Sequence, residues 1–469
     1  MTLEPTEAGR SDALSRRKLL QLTGAGAGAM ALGSLTAATA YAGGADAPTT
    51  GGADPTTAST TARTGPAGPT PELLSGSTFP VGLWVPPPAE QTTLARYREV
   101  TDAGFTFATS VEQPQTAEFQ GRVLRLAEQA GLSWLATDER LVNIYNQQPP
   151  EQWGRVVDSV VADYRRYPAW AGFYLWDEPN AGVFPNLGKV AAQIRRAAPT
   201  KLPYVNLFPT YANAQQLGAP TYEAYLDRYV DEADPQYISY DHYSVLKPDG
   251  TTPDFFINLA AVRNKSLASG LPTWAFILSC EHNRYRLPSE ADLFWQINVN
   301  LAYGAKGIQY FTYWTPKYDE YIEALISKAG ERTPLYYSAQ KINRTHLATV
   351  GAELLPLVSE TVTHANEPDL PAGAAGFTAD AWIAGAQGSA VIVSRFRAGH
   401  GNQPHRWLLV TNRSYSAAAT SSLTLGAGVR AAEFKPASRE YTPVRTSGGN
   451  LPVQLAPGMA RLFRLTKPR

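Results

Sequence analysis

The sequence predicts an α/β fold, a (β/α)8 TIM barrel followed by a C-terminal antiparallel β-sandwich. Three observations predict it. Eight short apolar runs rich in β-branched and aromatic residues alternate with longer segments of helical period, the pattern of repeated βα units around a parallel sheet. The first run is followed by Trp84-Val85-Pro86-Pro87-Pro88, the opposite of the Gly-rich phosphate loop that an open doubly wound sheet would carry there. From about 375 the texture changes to short alternating runs separated by Gly, Pro, Asn and Ser clusters.

The eight expected strands cover 81–85, 105–109, 133–137, 172–176, 203–207, 237–241, 274–279 and 308–313. Between them lie segments such as 92–100, 122–130 and 291–300, whose apolar residues recur at three- and four-residue steps. Several of these expected helices end on a Gly just before the next strand, as at Gly104 and Gly131, where a left-handed residue closes a helix. The barrel is expected over 77–340, with a helical connection over 341–374 and the sandwich over 375–469.

The first residues concern delivery. Ser15-Arg16-Arg17-Lys18-Leu19-Leu20 precedes an apolar Ala/Gly-rich run, and Ala40-Tyr41-Ala42 supplies a small-x-small cleavage pattern. Residues 1–42 resemble a twin-arginine export signal, which implies the twin-arginine machinery as a partner of the precursor and a secreted or cell-surface destination for a chain exported folded. Gly, Ser and Thr dilute the run too strongly for a membrane span, and none is expected in the mature chain. The stretch 43–76, mostly Thr, Pro, Gly, Ala and Ser, has almost nothing to bury and reads as a disordered spacer. The single Cys280 forms no intramolecular disulfide.

The 41 basic and 41 acidic residues cancel, which removes the electrostatic footprint of a nucleic-acid binder. A neutral ligand is compatible with this balance. Ten Trp and 24 Tyr offer flat apolar faces with polar edges, the kind of surface on which sugars stack. No His-x-x-x-His pair, calcium-loop pattern or Gly-x-Ser-x-Gly elbow occurs, so neither a metal nor a cofactor is expected.

In such a barrel the site is built at the C-terminal ends of the strands. Two ends stand out, Trp176-Asp177-Glu178-Pro179-Asn180 after strand 4 and Ser279-Cys280-Glu281-His282-Asn283 after strand 7. A carboxylate directly after an apolar strand is costly to desolvate unless it is paired or functional. The bland alternative for Glu281 is an ion pair with Arg284 or Arg286. Cys280, next to Glu281 on the strand, is expected to face the opposite way and be buried.

These residues resemble clan A of the glycoside hydrolases, retaining barrel enzymes with an acid/base Glu after strand 4 and a nucleophilic Glu after strand 7. Tyr174-Leu175-Trp176-Asp177-Glu178-Pro179 is similar to that clan's Asn-Glu-Pro signature, Asp241-His242-Tyr243 to its His/Tyr pair near the nucleophile, and Trp314 to its sugar-stacking aromatic after strand 8. The segment 301–311 resembles the passage into strand 8 of family 42 β-galactosidases. No individual family matches throughout. The resemblance implies a glycosidase that cleaves an O-glycosidic bond of a poly- or oligosaccharide by double displacement, with Glu178 and Glu281 catalytic and Asp177, His242, Tyr243, Trp314, Trp84 and Asn206 as substrate contacts. A transglycosidase with the same pair, or a non-catalytic polysaccharide-binding barrel, are the alternatives. One departure is Asp177, where the clan has Asn: an ionised Asp only accepts hydrogen bonds, whereas Asn also donates.

Overall fold

A computed structural model of the chain describes residues 69–399 and 404–467. The expected export signal and the spacer as far as 68 lie outside these residues. The last part of the expected spacer is tied to the barrel. Glu72 donates its N–H to the Thr200 carbonyl at 3.0 Å and pairs with Lys201 at 2.8 Å, while Leu73 and Leu74 pack against the core.

All eight expected strands form. They are β1 (Val81–Leu83), β2 (Phe107–Thr109), β3 (Ser133–Ala136), β4 (Trp170–Asp177), β5 (Leu202–Asn206), β6 (Ile238–Asp241), β7 (Thr273–Leu278) and β8 (Gly307–Phe311). Pairing is parallel, in the order β5-β4-β3-β2-β1-β8-β7-β6. A single bridge, Leu207 to Tyr240, joins the two ends and brings the sheet close to a closed barrel. Both faces of these strands are covered, which is why they read as near-continuous apolar runs and not as alternating ones.

The outer helices start where the chain supplies caps. Thr93, Thr116 and Thr221 each accept a backbone N–H at the start of Leu94–Asp102, Ala117–Ala130 and Tyr222–Ala233, and Ser289 with Asp292 makes a reciprocal capping box on Glu290–Ala302. Aromatic rings fill the barrel. Phe107 lies 4.9 Å from Trp274, Tyr204 contacts Tyr237 and Trp274, and Trp84 meets Tyr174 and Phe276 edge-on. Much of the aromatic content therefore goes into packing.

Gly172 is a point where only glycine fits. Its φ is +149° and a Cβ there would lie 2.0 Å from the Leu202 carbonyl oxygen on the neighbouring strand. Gly172→Ala is expected to destabilise the barrel by about 3 kcal/mol or more, combining backbone strain with displacement of β5. Urea unfolding checks this, and an unchanged midpoint would contradict it.

Two sheets form the C-terminal domain. One has six strands in the order β9-β11-β12-β17-β14-β15 (Leu357–Ala365, Val391–Ala398, His405–Asn412, Ala460–Thr466, Arg430–Lys435, Glu440–Pro443), the other three in the order β10-β13-β16 (Ile383–Gly388, Ala419–Leu425, Asn450–Leu455). Val391, Val393, Leu408, Val410 and Phe463 from the first meet Leu423, Leu425, Leu451 and Val453 from the second in one core, which makes the pair a sandwich. Strands begin earlier than the alternating pattern suggests. The stretch 341–374 is helical only to Leu354, and β9 then forms the edge of the larger sheet.

The sandwich is built onto the barrel. Trp295 Nε1 donates to the Arg413 carbonyl at 2.9 Å, Asn298 Nδ2 donates to the Gly458 carbonyl at 2.9 Å, and Ile392, Phe396, Leu409 and Leu462 belong to the same apolar core as the barrel helices.

Candidate active site

The C-terminal rim of the barrel is where the backbone is most strained. Non-glycine residues with left-handed φ follow β1 (Val85, 55°), β2 (Glu112, 62°), β4 (Glu178, 49°) and β7 (Asn283, 48°), and Glu323 (43°) lies in the loop after β8. For an L-residue this region costs roughly 1–2 kcal/mol, and a β-branched Val there is an outlier. Such strain persists only where surrounding structure over-determines it, and it clusters at functional sites.

Glu178 shows how that is done here. Its N–H donates to the Asn206 carbonyl at 2.8 Å. The next carbonyl, Pro179 O, accepts from Tyr225 at 2.8 Å. Asn180 then accepts from Gly182 N and donates to the Gln215 and Gln216 carbonyls. The turn is pinned on three consecutive residues, and it leaves the Glu178 side chain nearly buried at the rim.

Beside it runs a buried polar network. The Asn206 amide donates to Asp177 Oδ1 at 3.1 Å and to Asp241 Oδ1 at 2.7 Å, and its carbonyl accepts from Ser239 at 2.9 Å. Gln309 Nε2 donates to Ser239 at 3.0 Å, and Tyr204 donates to Gln309 Oε1 at 2.7 Å. Asn206, expected as a substrate contact, is fully buried with both amide hydrogens engaged. In this state it holds the Asp177 and Asp241 carboxylates together and offers no donor to the mouth.

Glu281 lies in a different setting. The chain after β7 forms a two-residue antiparallel ladder, Glu281 opposite Ile322 and His282 opposite Tyr321, so the loop after β8 folds against it. The Glu281 side chain remains 24% exposed and meets Lys247 Nζ at 2.8 Å. Neither expected arginine is its partner: Arg286 pairs with Asp292 at 2.7 Å, and Arg284 lies over Tyr211 and Tyr285. Lys247 comes from the loop after β6, which is stitched to the loop after β7 by Lys247 N to Arg284 O at 2.8 Å and Arg286 N to Val245 O at 3.1 Å. Cys280 is buried, as the alternation predicts.

The other expected contacts are structural neighbours of these groups. Tyr243 is buried among His282, Tyr285 and Phe311, at the back of the Glu281 ladder. His242 is buried with Nε2 3.2 Å from Asp254 Oδ1 and its ring against Tyr211 and Phe255. Burial raises the Asp254 carboxyl, but the His242 ring beside it and the Thr210 hydroxyl that donates to it at 2.7 Å bring it down to about 2. Trp84 is packed edge-on inside the barrel mouth.

Trp314 lines an open cleft of about 470 Å³ over β1, β2 and β8, together with Val85, Glu112, Lys317 and Tyr318. Along the rim this cleft occupies the arc between β4 and β7, and the buried Asp177-Asn206-Asp241 network occupies the opposite arc. Residues that sequence reasoning did not select are Asp241, which ends β6 and was quoted only as the first residue of the Asp241-His242-Tyr243 motif, Lys247, which follows that strand and carries no motif of its own, and Glu112. The last had a usable signal, an acidic residue three positions after a strand end.

The fold and rim together define a two-domain barrel protein with its polar groups gathered at the C-terminal ends of the strands. Two solved structures that superpose on the chain are glycoside hydrolases. One described as a glycoside hydrolase superposes with a TM-score of 0.53 at 10% identity, covering 83% of this chain and 92% of that one. A glycoside hydrolase family 5 protein from Bacteroides vulgatus gives 0.51 at 10% identity, over 83% and 89%. This coverage exceeds the barrel alone, so the likeness extends into the sandwich. At such identity the likeness is one of fold. The sequence matches no protein-family model and no curated protein.

Proposed function

We propose that the chain is an exported glycoside hydrolase that cleaves an O-glycosidic bond by double displacement, with Glu281 as nucleophile and Glu178 as acid and then base. The observation that carries this reading is the pair itself: two glutamates following β4 and β7 at one rim, one of them on a strained turn tied down on three consecutive residues. In the first step a Glu281 oxygen bonds to the anomeric carbon as the bond to the leaving oxygen breaks, and the Glu178 proton passes to that oxygen. In the second, Glu178 takes a proton from water, whose oxygen displaces Glu281 and restores both groups. Lys247 holds the Glu281 carboxylate in one orientation, and the Asp177 carboxylate, fixed by Asn206, is an acceptor for a sugar hydroxyl near the acid.

A panel of poly- and oligosaccharides, digested and analysed by product chromatography, tests the reading. Released sugar supports it, and acceptor-dependent longer products identify a transglycosidase. The Glu281–Lys247 ion pair favours a second reading, a non-catalytic polysaccharide-binding barrel in which Glu281 is structural; binding across the panel with no cleavage would establish that instead. Export by the twin-arginine route belongs to the proposal. Fractionation of cells expressing the chain with and without 1–42 is expected to find the folded protein outside the cytoplasm only when that segment is present.

A further inference from the structure

We propose that Tyr415, in the C-terminal domain, is a positioning residue for the nucleophile: its hydroxyl holds the loop after β6 so that Lys247 reaches Glu281. The inference rests on Glu281 as nucleophile and gives the sandwich a part in the chemistry of the barrel. A continuous run of contacts across the domain boundary leads to it.

Tyr415 lies between β12 and β13, where the sandwich meets the loops after β6 and β7. Its ring packs edge-on against Trp295 of the helix Glu290–Ala302, with centroids 5.5 Å apart, and the Arg286 guanidinium lies 5.3 Å from its centre. Its hydroxyl donates to Asp249 Oδ1 at 2.7 Å and accepts from Gly250 N at 3.1 Å, both in the loop after β6. The Tyr415 hydroxyl and the Gly250 N–H pull the Asp249 carboxyl below its usual value, so the acceptor is a carboxylate and the bond is charge-assisted.

From that point the loop leads back to the nucleophile. The Gly250 carbonyl accepts from Leu246 N at 3.1 Å, which folds 246–250 onto itself. Leu246 bridges to Tyr285, Lys247 N donates to the Arg284 carbonyl at 2.8 Å, and Lys247 Nζ meets Glu281 Oε1 at 2.8 Å. Arg286 ties the same corner from the side, on Asp292 at 2.7 Å and 3.6 Å from Asp249.

A lysine ammonium sits on a flexible four-carbon stem, so where it reaches depends on where its backbone is held. The Lys247 side chain is 40% exposed, and an ion pair so open to water holds one geometry only if its ends are already placed. The loop after β7 fixes one side of Lys247, and Tyr415, through Gly250, fixes the other. Attack on an anomeric carbon is sensitive to small displacements of the attacking oxygen, so a hydroxyl in the second domain governs the rate without touching substrate.

The test is steady-state hydrolysis of 2,4-dinitrophenyl glycosides of gluco, galacto and manno configuration by the full chain, with hydrogen exchange over 244–254 and the thermal midpoint measured beside it. Tyr415→Phe keeps the ring on Trp295 and Arg286 and removes only the hydroxyl. It is expected to lower kcat about fivefold, the worth of one hydrogen bond, to change KM by less than about twofold, and to speed exchange over 244–254. Asp249→Ala cuts the same bond from its exposed end and is expected to match; it decides alone should Tyr415→Phe fail to fold. Lys247→Met is expected to lower kcat about tenfold, and adding Tyr415→Phe to it to cost nothing more, because the hydroxyl acts only through the lysine. A merely structural tie would speed exchange and lower the thermal midpoint with kcat unchanged, and that result overturns the proposal. Losses that multiply in the double variant overturn it too, as does turnover of none of the three glycosides. The nucleophile and its positioning residue fail separately. Turnover lost in Glu281→Gln but untouched by Tyr415→Phe removes the positioning role alone, whereas turnover retained in Glu281→Gln removes the nucleophile on which it rests.

Discussion

Glu281→Gln is expected to lower kcat by about 10⁴-fold or more while leaving the folded structure intact, because an amide cannot displace the leaving group from the anomeric carbon. The change is nearly isosteric. The amide oxygen still accepts from Lys247, and the side chain sits at a partly exposed position outside the apolar core. If Glu281 were only the partner of an exposed lysine, its loss would cost no more than about 1 kcal/mol of stability and nothing in turnover. The two roles are thus separated by orders of magnitude in one assay, steady-state hydrolysis of whichever glycan the panel identifies, with circular dichroism confirming the fold.

Glu178→Ala is expected to act differently on different substrates. For a glycoside with a poor leaving group, kcat/KM should fall by about 10²–10⁴-fold, the usual worth of a positioned general acid. An activated aryl glycoside needs little protonation to leave, so its first step should survive and the glycosyl-enzyme should accumulate, waiting for a base. Azide, a nucleophile that needs no base, should then restore turnover and give a glycosyl azide with the anomeric configuration of the substrate. Equal losses on good and poor leaving groups, with no effect of azide, would assign Glu178 a structural role in its pinned turn.

How much of this was legible in the sequence differs by element. The eight strands were, because buried parallel strands are short continuous apolar runs and glycines mark several of the helix ends before them. The positions of Glu178 and Glu281 followed directly, since a strand end fixes where a side chain emerges. What those side chains touch did not follow. Lys247 reaches Glu281 from a loop after another strand, and that approach depends on two backbone hydrogen bonds between loops that no local pattern encodes. Asn206 was expected as a sugar contact from the family resemblance, and in the structure two carboxylates from β4 and β6 claim its amide.

Aromatic content was the least reliable guide. Trp84, Trp134, Trp170, Trp274 and Trp295 are fully buried, half of the ten Trp, so composition reported packing as much as ligand binding. The boundary of the second domain was missed for a related reason. β9 is an edge strand with one half-buried face, and its alternating Leu357–Ala365 pattern begins directly after Pro356, two residues past the end of a helix.

The measurement that tests the central claim most directly is peptide mapping after incubation with activated 2-deoxy-2-fluoro glycosides of gluco, galacto and manno configuration. The fluorine slows both steps and the good leaving group rescues the first, so a covalent glycosyl-enzyme collects. The account predicts a single added glycosyl mass on the peptide containing Glu281, absent from Glu281→Gln. A label on any other residue, or hydrolysis of natural glycans with no label from any of the three, would contradict it.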